Sequence, residues 1–205
     1  MTHSDTGLAG VCGGSTRGRP PGTTAVLVGV QLLLVLDTTV ITSATPVMSR
    51  QLHTGVGRVS LAQGIYALAF GGLLLLGGWC TDHFGALRAL RWALGAFALS
   101  GGAVIMVGAV GPIIAVRALQ GVCAALAAPA TLALIRLTFT DARQRNTAIA
   151  VWSMVSVVGA VVGPVVGGLL LEHFHWGSVF LVNVPLIVAA IALGAAVIPR
   201  DEPDR

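Results

Sequence analysis

Two ionisable side chains interrupt otherwise apolar stretches of this chain, and their chemistries are complementary. Asp37 lies in an apolar run that begins near Thr24; about thirteen helical residues at ~1.5 Å each place it roughly 20 Å along that helix. Arg117 lies in a second run, starting near Pro112, roughly 8 Å from its beginning by the same rise. A carboxylate can trade its charge for a proton, whereas a guanidinium keeps its own. An Asp and an Arg that approach and separate therefore make a proton switch. A charge at the centre of a bilayer costs at least about 2.5 kcal/mol, so it is retained where it faces a cavity, a partner or a proton path. For Arg117 a second reading stands beside the first: its long side chain reaches outward and anchors the span.

The elements that hold these residues are read from composition. The chain is 55% hydrophobic and 10% charged, against about 25% charged in soluble domains, and its mean hydropathy is +0.88. This is the composition of an integral membrane protein. Six apolar runs of spanning length follow one another, at about residues 24–47, 60–79, 89–110, 112–137, 147–171 and 176–198. The expected fold is an all-α membrane protein, a bundle of six transmembrane helices.

Charge placement orients the bundle. The 12 basic residues are all arginine. Arg17, Arg19, Arg88, Arg91, Arg136, Arg143, Arg145, Arg200 and Arg205 fall on one side, and only Arg50 and Arg58 fall in loops on the other. The positive-inside rule then puts both termini in the cytoplasm. Arg88 and Arg91 oppose the helix dipole at the start of the third span, so topology accounts for them and helix stability does not. The net charge of +4 has the same origin, and no nucleic-acid surface is expected.

Residues 1–22, rich in Gly, Ser, Thr and Pro, read as a disordered cytoplasmic tail; residues 23–199 form the six-span unit, and 200–205 a second short tail. Arg17 and Arg19 ahead of residues 25–36 imitate a signal peptide, but the run continues past Asp37 to full spanning length. Cys12, Cys80 and Cys123 share no framework spacing. Glu172-His173-Phe174-His175 reads as an exposed loop without a metal. The chain contains no lysine, which excludes a Walker A site and a Schiff base, and it carries no GxSxG or HExxH motif. It reads as a non-enzyme without cofactor, driven by an ion gradient.

The fifth run holds Gly159, Gly163 and Gly167 spaced by four, with Pro164 and Gly168 between and after them. The spacing aligns the glycines on one helix face, where a neighbouring backbone can approach closely, and the proline adds a kink.

These residues resemble a known family. Leu36-Asp37-Thr38-Thr39-Val40, with Pro46 closing the span, is similar to the first-span motif of the fourteen-span drug:proton antiporters of the major facilitator superfamily. Gly78-Trp79-Cys80-Thr81-Asp82-His83-Phe84-Gly85 followed by Arg88 resembles the superfamily's loop motif between spans two and three. Arg117-Ala118-Leu119-Gln120-Gly121, with Pro129, resembles the span-four motif, and Gly159 to Gly168 the antiporter motif. Trp176, Phe180, Asn183 and Pro185 match the sixth-span pattern. His83, Ala86 and Leu87 stand where the loop pattern is usually basic.

The resemblance implies one half of the major facilitator fold, built from 3+3 inverted repeats that pair span one with span four. It also implies roles. Asp37 and Arg117 serve proton coupling or shape the cavity, and Gln120 and Gly121 support span four. Asp82 and Arg88 belong to a cytoplasmic gating loop whose sharp turn Gly78 and Gly85 permit. Gly159, Gly163, Pro164, Gly167 and Gly168 form a rocking interface. The activity implied is efflux of drug-like small molecules against protons across the plasma membrane, the inner membrane in a bacterium.

Family members carry a second half, whereas this sequence stops soon after the sixth span. The chain therefore reads as a half or truncated transporter that needs a homodimer partner or a separate C-terminal half. The alternative is a truncated, non-transporting membrane protein, either a decayed fragment or an interaction partner of a complete transporter. A lone six-span bundle is expected to turn Asp37 and the glycine stripe toward lipid, which would drive association or leave Asp37 protonated. Reporter fusions after Arg145 and after His175 are expected to score inside and outside respectively; the reverse at either site would overturn the topology.

Overall fold

The computed structural model describes residues 21–105 and 110–197. They form six helices in chain order: α1 (Pro21–Gln51), α2 (Val56–Phe84), α3 (Ala86–Ile105), α4 (Val110–Thr138), α5 (Ala142–His173) and α6 (Ser178–Val197). No strand occurs among the described residues. Helices α1, α2, α4 and α5 are long and apolar enough to cross a membrane, and the 20 residues of α3 and of α6 reach about 30 Å, the thickness of a hydrocarbon core. Successive helices alternate in direction. The Trp176 amide donates to Gln51 Oε1 at 3.3 Å, bringing the end of α1 to the α5–α6 loop. At the other end Thr24 and Arg143 line one cavity of about 320 Å³ between the starts of α1 and α5.

Several boundaries differ from those read in the sequence. Pro46 does not close the first span; α1 runs through it to Gln51. Proline removes one helical hydrogen bond and bends the helix, while Ala44 and Met48 on either side stay buried and hold the axis in the bundle. The chain reverses at His53, whose φ is 48°. Val110, taken as the end of the third span, begins α4, and the first helix already includes Pro21 and Gly22. The tails at 1–20 and 198–205 lie outside the described residues.

Gly78 does not form the turn between α2 and α3. It lies within α2, and the turn is made by Gly85 alone, at φ 89°. Directly after it, Ala86 and Leu87 are buried in the core. These two positions, usually basic in the family pattern, here start α3 with apolar side chains packed inside. At the start of α5 the Asp141 carboxylate caps the helix, accepting from the Gln144 amide at 3.0 Å.

Helix α4 is the centre of the bundle. Its alanines at 124, 125, 127 and 130 are almost wholly buried, and neighbours approach it through glycine. A methyl group at Gly77 of α2 would overlap the Ala125 carbonyl, and one at Gly121 of α4 would crowd the Tyr66 backbone. Helix α5 meets α1 in the same manner. Gly159 faces Leu32 and Val35, Gly163 faces Thr39, and Gly167 faces Val40. The stripe expected to lie against lipid is thus buried within this unit, because small residues let two backbones gain close van der Waals contact. Pro164 and Gly168 are on the exposed side. What remains uncovered is a set of large apolar side chains on α2 and α5, among them Leu68, Leu75, Met154, Val161 and Leu169.

Adjacent glycines in α2 therefore answer differently to the same change. Gly77→Ala is expected to cost about 1–3 kcal/mol through overpacking and to lower the unfolding temperature in detergent. Gly78, with nothing within 4 Å of an added methyl, is expected to accept alanine with no loss, since alanine is favoured over glycine in helices by roughly 0.5–1 kcal/mol. Equal responses would rule out the close α2–α4 approach.

Candidate functional site

The two intramembrane charges meet. Arg117 Nη1 lies 2.6 Å from Asp37 Oδ2, and both residues are at most 1% exposed. The second carboxylate oxygen accepts from Asn183 Nδ2 at 2.7 Å. Arg117 Nη1 also donates to Gln120 Oε1, and Nη2 to Gln63 Oε1, both at 2.9 Å. The Tyr66 ring covers the guanidinium, its centroid 4.1 Å from Cζ.

Each helix delivers its groups by local spacing. Arg117 and Gln120 stand three apart on α4, and Gln63 and Tyr66 three apart on α2, so each pair shares a helix face. Asp37 comes from α1 and Asn183 from α6, one turn after the buried Phe180. Gly101 of α3 faces Gln120 and the Phe180 carbonyl, which closes the site on the α3 side.

Two sequence expectations are corrected here. Arg117 does not reach outward as an anchor; it is buried and directed at α1. Asp37 does not face lipid, because the bundle supplies its partners internally. The physical reason is the same for both: a charge buried alone costs several kcal/mol, whereas an ion pair with its remaining lone pairs and protons hydrogen-bonded recovers most of that cost. Gln120, expected beside Arg117, is in the cluster. Gln63 and Tyr66 were not singled out in the sequence, although a glutamine within an apolar span is itself a signal of interhelical hydrogen bonding.

The remaining expected residues lie elsewhere. Asp82 and Arg88 are exposed at the α2–α3 turn, and neither forms a salt bridge among the described residues. Beside them the His83 ring stacks on Trp79 with centroids 5.2 Å apart. The glycine stripe of α5 lies against the segment of α1 that carries Asp37: Thr39 Oγ1, bonded to Val35 O at 2.9 Å, also approaches Gly159 O at 3.4 Å. Movement of α5 along this contact bears directly on the site.

Chemically, the cluster holds one carboxyl group and one fixed cation among neutral acceptors. Protonating Asp37 would remove the anion and leave the guanidinium to Gln63, Gln120 and the Tyr66 face.

Comparison with known proteins fits this architecture. The sequence model of the Major Facilitator Superfamily matches residues 27–205. The chain belongs to the Major Facilitator Superfamily. It is 38% identical over 178 residues to the methyl viologen resistance protein SmvA of Salmonella typhimurium, covering 87% of this chain and 36% of that protein. It is 34% identical over 206 residues to the tetracenomycin C resistance and export protein of Streptomyces glaucescens, covering 100% of this chain and 38% of the relative. The puromycin resistance protein pur8 of Streptomyces alboniger is 42% identical over 179 residues, 86% of this chain and 35% of its own length. The chain thus spans little more than a third of the relatives it matches. The six helices correspond to half of the superfamily fold, in a multi-pass membrane protein of a transporter family and not of an enzyme family.

The ion pair predicts a non-additive response. Arg117→Leu strands a buried carboxylate, and loss of one partner of such a pair costs about 3–5 kcal/mol. The double variant Asp37→Asn, Arg117→Leu is expected to unfold in detergent at a higher temperature than the single variant. Additive losses would show that the two side chains are not coupled.

Proposed function

We propose that this chain forms the N-terminal half of a transporter that exports drug-like molecules in exchange for protons, with the Asp37–Arg117 pair as the proton switch. The observation that carries the reading is the makeup of the cluster: a single carboxylate paired with a guanidinium that already has neutral oxygens and a ring to fall back on. Protonation of Asp37 removes the anion, breaks the pair and frees α1 from α4. Loss of the proton restores it. An ion pair that toggles between two helices is a bistable element, and any molecule that binds one state more tightly shifts the other. The relatives' resistance to methyl viologen and puromycin and export of tetracenomycin C support small organic molecules as the cargo.

In this reading the second half, from the same polypeptide, a separate one or a second copy, covers the apolar faces of α2 and α5 and completes the cavity. The arginine asymmetry supports cytoplasmic termini and residence in the plasma membrane, the inner membrane in a bacterium. Residues 1–22 and 200–205 are then cytoplasmic tails flanking the 23–199 unit. Asp82, Gly85 and Arg88 serve the cytoplasmic gate, and the contact of Gly159, Gly163 and Gly167 with α1 lets that helix slide.

Asp37→Asn is expected to insert normally yet to abolish drug-driven proton movement in liposomes where the complete assembly moves both. The neutral isostere keeps the shape and one of the two acceptor oxygens that Arg117 and Asn183 use, but cannot exchange a proton. Proton movement undiminished in this variant would overturn the switch. Absence of transport by the wild-type chain, even with a second half supplied, would favour a non-transporting membrane protein.

A further inference from the structure

Behind the ion pair, α1 carries a polar face that the switch does not use. Thr24, Gln31, Thr38 and Thr45 recur every seven residues, with Thr42 beside them, and a seven-residue repeat returns to the same side of a helix. This line runs nearly the length of α1 through an otherwise apolar span. Thr24, Thr38 and Thr45 are half-buried and Thr42 is exposed, so the line borders open space along the bundle. At one end Thr24 lines the cavity of about 320 Å³ together with Arg143, Gln144 and Thr147 of α5. Further along, Gln31 is 9% exposed; its Nε2 donates to Ser156 Oγ at 2.9 Å and its Oε1 has no partner among the described residues. A buried amide oxygen left unpaired is destabilising, and an N–H or O–H donor would relieve it.

One side chain joins this face to the buried charges. Gln63 Oε1 accepts from Arg117 Nη2 at 2.9 Å, while its Nε2 donates to the Thr38 carbonyl at 2.9 Å and lies 3.4 Å from Thr42 Oγ1. The two ends of one amide therefore touch the guanidinium and the half-exposed wall. Among the described residues the titratable groups near the pair are Tyr66 from α2 and, beside it, the buried Cys123 from α4, while α6 contributes the neutral Asn183.

We propose that the polar face of α1 is the wall against which a transported molecule bearing N–H or O–H groups lies, and that Gln63 is the positioning residue that passes its presence to the Asp37–Arg117 pair. The proposal rests on the proton-antiport reading above. A donor group on the molecule competes for the Thr38 carbonyl and Thr42 hydroxyl and displaces Gln63 Nε2. The amide turns, its Oε1 leaves Arg117, and the guanidinium is left to its anion. The paired state of Asp37 is then favoured, and the carboxyl proton departs to water. In reverse, a protonated Asp37 leaves Arg117 leaning on Gln63, which holds its N–H on α1 and covers the wall. Linkage requires the two effects to be equal: the molecule weakens proton binding by the same factor by which the proton weakens the molecule's binding.

The test uses puromycin, an amine, as the probe and the complete detergent-solubilised assembly in weak buffer, following binding and proton release separately. Wild type is expected to release protons on binding. Gln63→Leu is expected to bind within about threefold of wild type while its release falls at least about tenfold, a factor within the usual range of coupling energies. If that variant fails to fold, Gln63→Met decides: it keeps the length of the side chain, loses both the oxygen to Arg117 and the N–H to α1, adds no titratable group, and its proton release should no longer respond to puromycin. Release equal to wild type in either variant overturns the proposal, and so does joint loss of binding and release in a folded variant. Wild type that binds puromycin without releasing protons overturns the antiport reading, and the Gln63 proposal with it. Normal wild-type release that Asp37→Asn abolishes and Gln63 variants leave intact sinks the Gln63 proposal alone.

Discussion

The structure depends on keeping one carboxylate and one guanidinium inside an apolar bundle. Such a pair is tolerated only when its geometry is good and its other lone pairs and protons are satisfied, and that demand reaches four helices. Helix α1 must present Asp37 toward α4, α2 must present Gln63 and Tyr66, and α6 must bring Asn183 to the second carboxylate oxygen. The crossing of α1 and α4 is thus fixed by polar chemistry, while lipid on the outside contributes little direction. One group remains imperfectly served: Arg117 Nε is buried without a partner among the described residues.

Close approach at glycine does the rest of the positioning. Apolar side chains cannot drive helices together in a membrane as they do in water, so contact area and backbone proximity decide. Gly77 and Gly121 bring α2 to α4, and Gly159, Gly163 and Gly167 bring α5 to α1. The two pairs of helices are held by smooth surfaces on either side of the ion pair. Large side chains interlock and resist sliding, whereas a glycine surface offers few ridges. The fold therefore places its specific, directional bonds at the centre and its least directional contacts around them.

Much of this was legible in the sequence, and what was not has physical reasons. Asp37 and Arg117 stood out because charge is rare in apolar spans, and their pairing followed from inverted-repeat symmetry. Gln63 and Tyr66 did not, since neutral polar and aromatic side chains are common in membrane helices and only the fold shows what they face. The glycine spacing revealed a packing face but not the neighbour, which turned out to be α1 of the same unit. Pro46 and Gly78 were read as a stop and a turn from the family motifs they resemble. Packing on both sides carries the helix through each, and only Gly85, with its positive φ, needs the freedom of glycine. The Asp82 and Arg88 positions were legible as motif, yet their partners are not found among the described residues.

The internal pairing also changes why this unit would associate. From sequence, the cost of an exposed Asp37 was the driving force for finding a second half. With Asp37 and Arg117 neutralising each other inside the bundle, that force is absent, and so is the exposed glycine stripe. What α2 and α5 present is apolar and bulky, compatible with lipid as well as with protein. Association of halves must then rest on shape and on the polar face of α1, whose hydroxyls and unpaired Gln31 oxygen gain most in an aqueous or ligand-filled cavity. A partner that encloses that face does more than stabilise the bundle: it gives these polar groups the hydrogen-bonding surroundings that lipid cannot.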